Sequence, residues 1–309
     1  MAWLALAVGA FLLAATLLPR AQSLAGPPET PVEELTHIHG LAVDPRDSSV
    51  LWIATHHGLF RMTNARRLVR VGRSVFDLMG FVAHPRDQGV FYASGHPAPG
   101  ERRLNPIGVE ASRDGGQTWQ PLALAGQVDF HAMAISPADP KVLYGWNVVG
   151  NGEFYRSRDG GKTWENLGRR DLDRVFYLAA HPREPGTVFA AMMKGIYRSE
   201  DAGGTWRLHS PALFGVTVTA VEWHPRQPER AYGYAATPQW GMVRSSDGGR
   251  SWQSLGRFLG ERNAGSRIAL DPRDANVLYY ATYSDDLVRS RDAGKTWEQW
   301  LAGGRVQKP

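Results

Sequence analysis

The sequence predicts an all-β protein, folded as a single six-bladed β-propeller with a repeated Asp-containing hairpin between the third and fourth strands of blades two to six. Three observations lead to this prediction. The 309 residues include 34 glycines, 20 prolines and 11 tryptophans, a composition typical of short strands joined by tight turns. A motif ending in tryptophan recurs five times, and an apolar strand ending at a proline recurs six times.

The fivefold motif reads S-x-D-x-G-x-[ST]-W and recurs every 42 to 46 residues. Its Asp can accept hydrogen bonds from N–H groups of the turn, its Gly supplies a positive φ, and its Trp packs between blades. We therefore expect the five Asp residues to be structural. The motifs span residues 112–119, 157–164, 199–206, 245–252 and 290–297, and their acids are Asp114, Asp159, Asp201, Asp247 and Asp292.

Six proline turns divide the chain into six units. The fourth unit is predicted to contain strands at Val175–Ala180, Thr187–Met192, Gly195–Arg198 and Trp206–His209. The first unit lacks the Asp motif, although Gly58–Arg61 aligns with the third strand of the others. Four strands per unit, repeated radially, describe propeller blades, whereas a solenoid would need capping units. The turns are Asp44-Pro45, His84-Pro85, Ser136-Pro137, His181-Pro182, His224-Pro225 and Asp271-Pro272.

The ends of the chain are expected to lie outside the propeller. Residues 1–25 are predicted to be a signal peptide or an N-terminal anchor, 26–36 a linker, 37–302 the propeller and 303–309 a tail. We therefore expect an exported protein that is periplasmic, at the cell surface or secreted. It would contact a membrane only through an uncleaved leader.

The composition argues against disulfide bonds and against a nucleic-acid partner. The chain has no cysteine, so it forms no disulfide. Its net charge is +5, but basic and acidic residues are interspersed. Because nucleic-acid binding requires a basic stripe, we expect no nucleic-acid partner.

The motifs resemble the Asp-box, or BNR, repeats of sialidases, sortilin-like receptors, xyloglucan-degrading enzymes and a photosystem II assembly factor. The resemblance extends over roughly residues 37 to 300. The chain also resembles bacterial exported proteins described as glycosyl hydrolase-like. The resemblance implies the propeller fold, with the box hairpins on one face and ligand binding on the other, but fold alone implies no activity.

Aligning the six units on their prolines predicts which residues gather on that opposite face. The positions six and eight residues before each proline, together with the ends of the second strands, hold most of the histidines. Imidazole, carboxylate and thioether groups together suit a transition metal, with copper the first candidate. Alternatively, these side chains are polar rim residues without a metal. The metal-site candidates are His37, His39, His56, His57, Asp77, Met79, His96, Asp129 and His131.

Other residues on this face are candidates for contacting an organic ligand. Arg102 and Arg103 lie in an insertion of the second unit, Trp240 lies in the corresponding loop of the fifth unit, and Arg174, Tyr177 and Arg267 lie near strand starts. These residues favour an exported binding or assembly module with a protein or glycan partner. The alternative is a sialidase-like glycoside hydrolase. Its signature Phe/Tyr-Arg-Ile-Pro is absent near the N-terminus, so no catalytic residue is assigned.

Overall fold

Six antiparallel sheets arranged as blades around a common axis make up the computed structural model, which describes residues 29–308. The first strands of consecutive blades pack side by side, and the first strand of blade six returns to that of blade one. The all-β, six-bladed prediction is therefore confirmed. The predicted leader lies outside the described residues. Among residues 29–308, no helix has the length and apolarity needed to span a bilayer.

In each of the first three blades, four strands lie side by side in sequence order from the axis outward. Blade one also receives β1 on its outer edge, beside β5. The strands are β1 (Thr30–Val32), β2 (Ile38–Val43), β3 (Val50–Thr55), β4 (Gly58–Thr63) and β5 (Leu68–Val71) in blade one; β6 (Asp77–Ala83), β7 (Phe91–His96), β8 (Val109–Ser112) and β9 (Gln120–Ala123) in blade two; and β10 (Phe130–Ile135), β11 (Leu143–Asn147), β12 (Glu153–Ser157) and β13 (Glu165–Asn166) in blade three.

The last three blades repeat the pattern, with one 3₁₀ helix, Pro211–Leu213, between blades four and five. The predicted strands of the fourth unit agree with the observed ones to within two residues. The strands are β14 (Val175–Ala180), β15 (Val188–Met192), β16 (Gly195–Ser199) and β17 (Arg207–Leu208) in blade four; β18 (Val218–His224), β19 (Gln227–Ala235), β20 (Gly241–Ser245) and β21 (Gln253–Ser254) in blade five; and β22 (Gly265–Leu270), β23 (Leu278–Thr282), β24 (Leu287–Ser290), β25 (Glu298–Ala302) and β26 (Arg305–Val306) in blade six.

The propeller extends beyond the bounds 37–302 expected from the sequence. The expected linker contributes β1 to blade one, and the expected tail contributes β26 to blade six. Between them, the backbone N–H of Val306 donates to the carbonyl of Glu33, and that of Leu35 donates to the carbonyl of Gly304. These backbone bonds link the first and last segments of the described residues and help to close the ring.

Each box hairpin joins the third and fourth strands of its blade and satisfies its own Asp. In blade two, Oδ1 of Asp114 accepts from the backbone N–H of Thr118 at 3.0 Å, and Oδ2 accepts from the Thr118 hydroxyl at 2.6 Å. The hydroxyl of Ser112 also donates to Asp114, and it accepts from the backbone N–H of Gly116. Because the other four boxes repeat these bonds, the carboxylates are engaged in holding the turns.

These bonds make the stability of the propeller sensitive to acid. Hydrogen bonds from Thr163 lower the pKa of Asp159 to about 2, from an ordinary value of 3.8. Bonds within their own turns likewise lower the pKa of Asp247 and Asp292 to about 2. A carboxyl with a lowered pKa in the folded state stabilises the fold above its unfolded pKa and loses that contribution as the pH falls.

We therefore expect the urea midpoint of unfolding to fall as the pH is lowered from about 4 to 2. Asp159→Asn should be less stable at pH 7 and should show a shallower decline over this range, because one of the titrating carboxyls is gone. A midpoint that stays constant between pH 5 and 2 in the natural protein would contradict this expectation.

The box tryptophans pack between blades, as the sequence predicts. Each contributes to the apolar cluster that its blade shares with the preceding blade. Trp119, for example, lies against Phe76 and Phe91. Only Trp252 is buried, and the other four are partly exposed. The five tryptophans therefore fill equivalent places but contribute unequally to the core.

The junction between blades one and six is built differently, since blade one has no box. Its apolar cluster includes Trp300, which is fully buried. The guanidinium of Arg289 lies 4.5 Å from the centre of the Trp300 ring and donates to Glu298 at 2.7 Å and to Asn64 of blade one at 2.7 Å. Arg66 of blade one also pairs with Glu298. An ion-pair network thus joins the two blades at this junction.

Candidate functional site

All six first strands carry a β-bulge at the same place, near the end that lies opposite the box hairpins. A bulge adds one unpaired residue to a strand and re-aims its side chain. The six bulge residues are the ones that the proline alignment placed at equivalent strand starts. They are His39, Met79, His131, Phe176, Thr219 and Ser266.

The first group of potential metal ligands, here called group one, consists of His39, His56 and Asp77. Nδ1 of His56 lies 2.7 Å from Oδ2 of Asp77, and the rings of His39 and His56 are 4.4 Å apart, edge to face. One ligand atom from each residue lies within 4.8 Å of the others. The exposed ring of His37 lies 4.7 Å from that of His56. Blades one and two thus bring four of the predicted residues together.

Burial sets the electrostatics of group one. Burial, followed by the positive charge of Arg267 and the neighbouring histidines, lowers the pKa of His39 to about 2, so its imidazole is neutral. Burial also raises the pKa of Asp77, against the opposing effect of His56. Nε2 of His39 and Oδ1 of Asp77 are buried and have no hydrogen-bond partner among residues 29–308. Group one therefore contains two buried potential ligand atoms, Nε2 of His39 and Oδ1 of Asp77, that form no hydrogen bond with the described residues.

The second group, here called group two, consists of His96, Asp129 and His131. Oδ2 of Asp129 lies 2.8 Å from Nε2 of His131 and 3.3 Å from Nε2 of His96. Nδ1 of His96 lies 2.7 Å from Oδ1 of Asn105, which belongs to the insertion of blade two. Oδ1 of Asp129 is buried and has no partner in the described part of the chain. The insertion thus orients His96 toward Asp129.

Arg267 lies on the axis beside both groups. Its guanidinium donates to the carbonyl oxygens of His39 and Ser266, with His131 at 3.5 Å as a weaker acceptor. It also lies 5.8 Å from the centre of the Tyr177 ring. His39 belongs to blade one, His131 to blade three and Arg267 to blade six. Arg267 therefore braces blade six against blades one and three.

Below Arg267, the first strands line an axial cavity that reaches the proline turns and is mostly apolar. The hydroxyl of Tyr177 lies 3.2 Å from Oε2 of Glu222 and 3.3 Å from the carbonyl oxygen of Ile268. Burial raises the pKa of Glu222 to about 8 and that of Tyr177 well above its usual value of 10. At neutral pH, this pair therefore carries no charge.

Of the remaining candidates, His57 is in neither group, and the others differ in burial and contacts. Arg103 pairs with the buried Glu110 and lies over the ring of Phe76, so it holds the insertion against its blade. Arg102 is exposed, as are Arg174 and His57. Trp240 and Met79 are partly buried, Trp240 against the cluster between blades four and five.

Glu222 and Asn105 were missed by the sequence analysis, although Glu222 left a signal. Three residues before the proline, the other five units have alanine or valine, whereas the fifth has Glu222. A charged residue at a position that is otherwise small and apolar is a reason to expect a polar group inside the axial cavity. Asn105 left no such signal, because the insertion has no counterpart in the other units.

Known proteins match this chain in part. The family model for the BNR/Asp-box repeat matches residues 155–166. A xyloglucanase of Hypocrea jecorina (strain QM6a) is 27% identical over 144 residues, which covers 37% of this chain and 17% of the relative. A xyloglucanase of Acetivibrio thermocellus is 30% identical over 146 residues, with the same coverage. The chain therefore spans about a sixth of the length of these relatives.

Solved structures resemble the chain over most of its length. The GH74 enzyme of Niastella koreensis superposes with a TM-score of 0.62 at 16% sequence identity, covering 89% of this chain and 46% of that one. At this identity the likeness extends to the fold alone. Together with the five box hairpins and the six blades, it identifies the chain as a six-bladed β-propeller built from BNR/Asp-box repeats.

Proposed function

We propose that this propeller is an exported binding module that holds a divalent transition-metal ion on the face opposite its box hairpins. The observation that carries the proposal is the convergence of four histidines and two aspartates, from three blades, into groups one and two. The apolar leader at residues 1–25 supports export.

Three unsatisfied atoms support metal binding. Nearly all buried polar atoms in folded proteins have a partner, but sixteen side-chain atoms of residues 29–308 lack one, so it is the clustering of such atoms within the two groups that is informative. Here the exceptions include Nε2 of His39, Oδ1 of Asp77 and Oδ1 of Asp129, all of which are suitable metal ligands. A bound ion would satisfy atoms that otherwise cost free energy by being buried without a partner.

The donor types narrow the choice of metal. Imidazole and carboxylate suit zinc and copper(II), whereas copper(I) favours thiolate and thioether groups. Both groups contain imidazole and carboxylate, and the chain has no cysteine. We therefore expect copper(II) and zinc to bind more tightly than copper(I).

The test is equilibrium dialysis of metal-free protein against Cu(II), Zn(II) and Cu(I). The double variant His39→Ala, His131→Ala should bind Cu(II) and Zn(II) at least about 100-fold more weakly, because each group loses a direct ligand and even indirect supports of a metal site are worth 10- to 100-fold. His57→Ala is the matched control, since His57 is exposed and outside both groups. Equal metal uptake by the double variant and the natural protein would refute the proposal.

Glycoside hydrolysis is a second candidate function. It is favoured by the contact between Tyr177 and Glu222 and by the raised pKa of Glu222, which keeps a general acid protonated at neutral pH. The two relatives named xyloglucanases make xyloglucan the substrate to assay. Against it, most glycosidases need a second carboxylate beside the acid, and among residues 29–308 Glu222 is the only acidic residue lining the cavity. Sugar release that Glu222→Gln abolishes would favour the hydrolase.

A further inference from the structure

We infer that this face binds two metal ions at the same time, one in group one and one in group two. This inference rests on the proposed function, and it specifies how many ions bind and which residues hold each one. The two groups share no residue, and within each group the ligand atoms lie within 4.8 Å of one another. Ligands of a tetrahedral ion with bonds of 2.0 to 2.1 Å lie roughly 3.4 Å apart. Each group can therefore close around its own ion with small side-chain rotations.

Blade two divides its ligands between the groups. Asp77 and His96 are directly paired across β6 and β7. The carboxylate of Asp77 turns toward blade one, where it meets His56, whereas the imidazole of His96 turns toward Asp129 of blade three. Paired residues of antiparallel strands have Cα atoms only about 5 Å apart. The two sites are therefore neighbours with separate ligands.

Each group also has its own unsatisfied atoms. His39 and Asp77 supply them in group one, and Asp129 supplies one in group two. Within each group, the carboxylate already contacts a histidine of the same group, at 2.7 Å in group one and 2.8 Å in group two. The geometry thus repeats the same two-imidazole, one-carboxylate arrangement on both sides of blade two.

Repulsion between the two bound cations is expected to make their binding affinities unequal. Two divalent cations would face only two ligand carboxylates, and the guanidinium of Arg267 lies against the backbone of both groups through His39 and His131. Like charges at short distance repel each other, and more strongly where water is excluded. We therefore expect the second ion to bind more weakly than the first.

Zinc titration of the metal-free, full-length protein tests the inference. The natural protein should take up two equivalents in two steps. His56→Ala should retain one equivalent, held by group two, and His96→Ala should retain one equivalent, held by group one. His57→Ala should still bind two.

A single equivalent in the natural protein would overturn the two-ion inference and leave the proposed function standing, whereas no uptake would overturn both. A second measurement does not depend on the folding of the variants. Electron paramagnetic resonance of the natural protein loaded with two equivalents of Cu(II) should show a signal broadened by a neighbouring spin, and a spectrum of isolated ions would contradict the inference.

Discussion

Replacing Trp252 by alanine is expected to lower the free energy of unfolding by about 3 to 5 kcal/mol, the usual cost of removing a buried aromatic side chain. Trp252 is the most buried of the five box tryptophans, at 9% exposure. Its indole N–H lies 3.0 Å from the hydroxyl of Ser210 and 3.1 Å from the carbonyl of Gly249. The change therefore removes packing between blades four and five together with these bonds. Urea denaturation followed by circular dichroism gives the value.

The matched comparison is Trp164→Ala. Trp164 occupies the equivalent place between blades two and three but is partly exposed, so its loss should cost less. An equal cost for both variants, or a cost below about 1 kcal/mol for Trp252→Ala, would contradict the account of how the blades are held together.

Replacing Arg289 by alanine is expected to lower the free energy of unfolding by about 1 to 3 kcal/mol, the usual cost of leaving hydrogen-bonding groups without a buried partner. Removing one partner of a fully buried ion pair costs about 3 to 5 kcal/mol, but here the Glu298 side chain is 42% exposed and keeps Arg66 as a partner. Arg289 itself is 3% exposed, and its loss uncovers Trp300.

Arg291→Ala serves as the control for Arg289→Ala, because Arg291 lies two residues away and is exposed. It should change stability by less than about 0.5 kcal/mol, as substitutions of exposed residues usually do. If the two variants unfold at the same urea concentration, the ion-pair network does not contribute to closing the ring.

The sequence was sufficient to predict the blades because the repeat is local. Each box carries its own turn chemistry, so the hairpin at Ser112–Trp119 can be recognised without its neighbours. Closure of the ring was not predictable in this way. It depends on backbone bonds between distant segments, such as those that join Glu33 to Val306 and Leu35 to Gly304, and short segments of this kind have no distinctive pattern.

The candidate site was predictable in part for a similar reason. Alignment on the prolines identified His39 and His131, since equivalent positions in a propeller converge on the axis. It could not show that the histidines divide into two groups, because that division depends on the directions in which Asp77 and His96 turn. The role of Arg267 as a brace between blades was equally hidden, since its acceptors are backbone carbonyls of other blades.

Anomalous diffraction from crystals of the zinc-loaded full-length protein tests the metal-binding proposal most directly. We expect an anomalous peak within about 2.0 to 2.2 Å of the ligand atoms of His39, His56 and Asp77, and a second peak in group two. Peaks confined to surface carboxylates, or none on the face opposite the box hairpins, would contradict it.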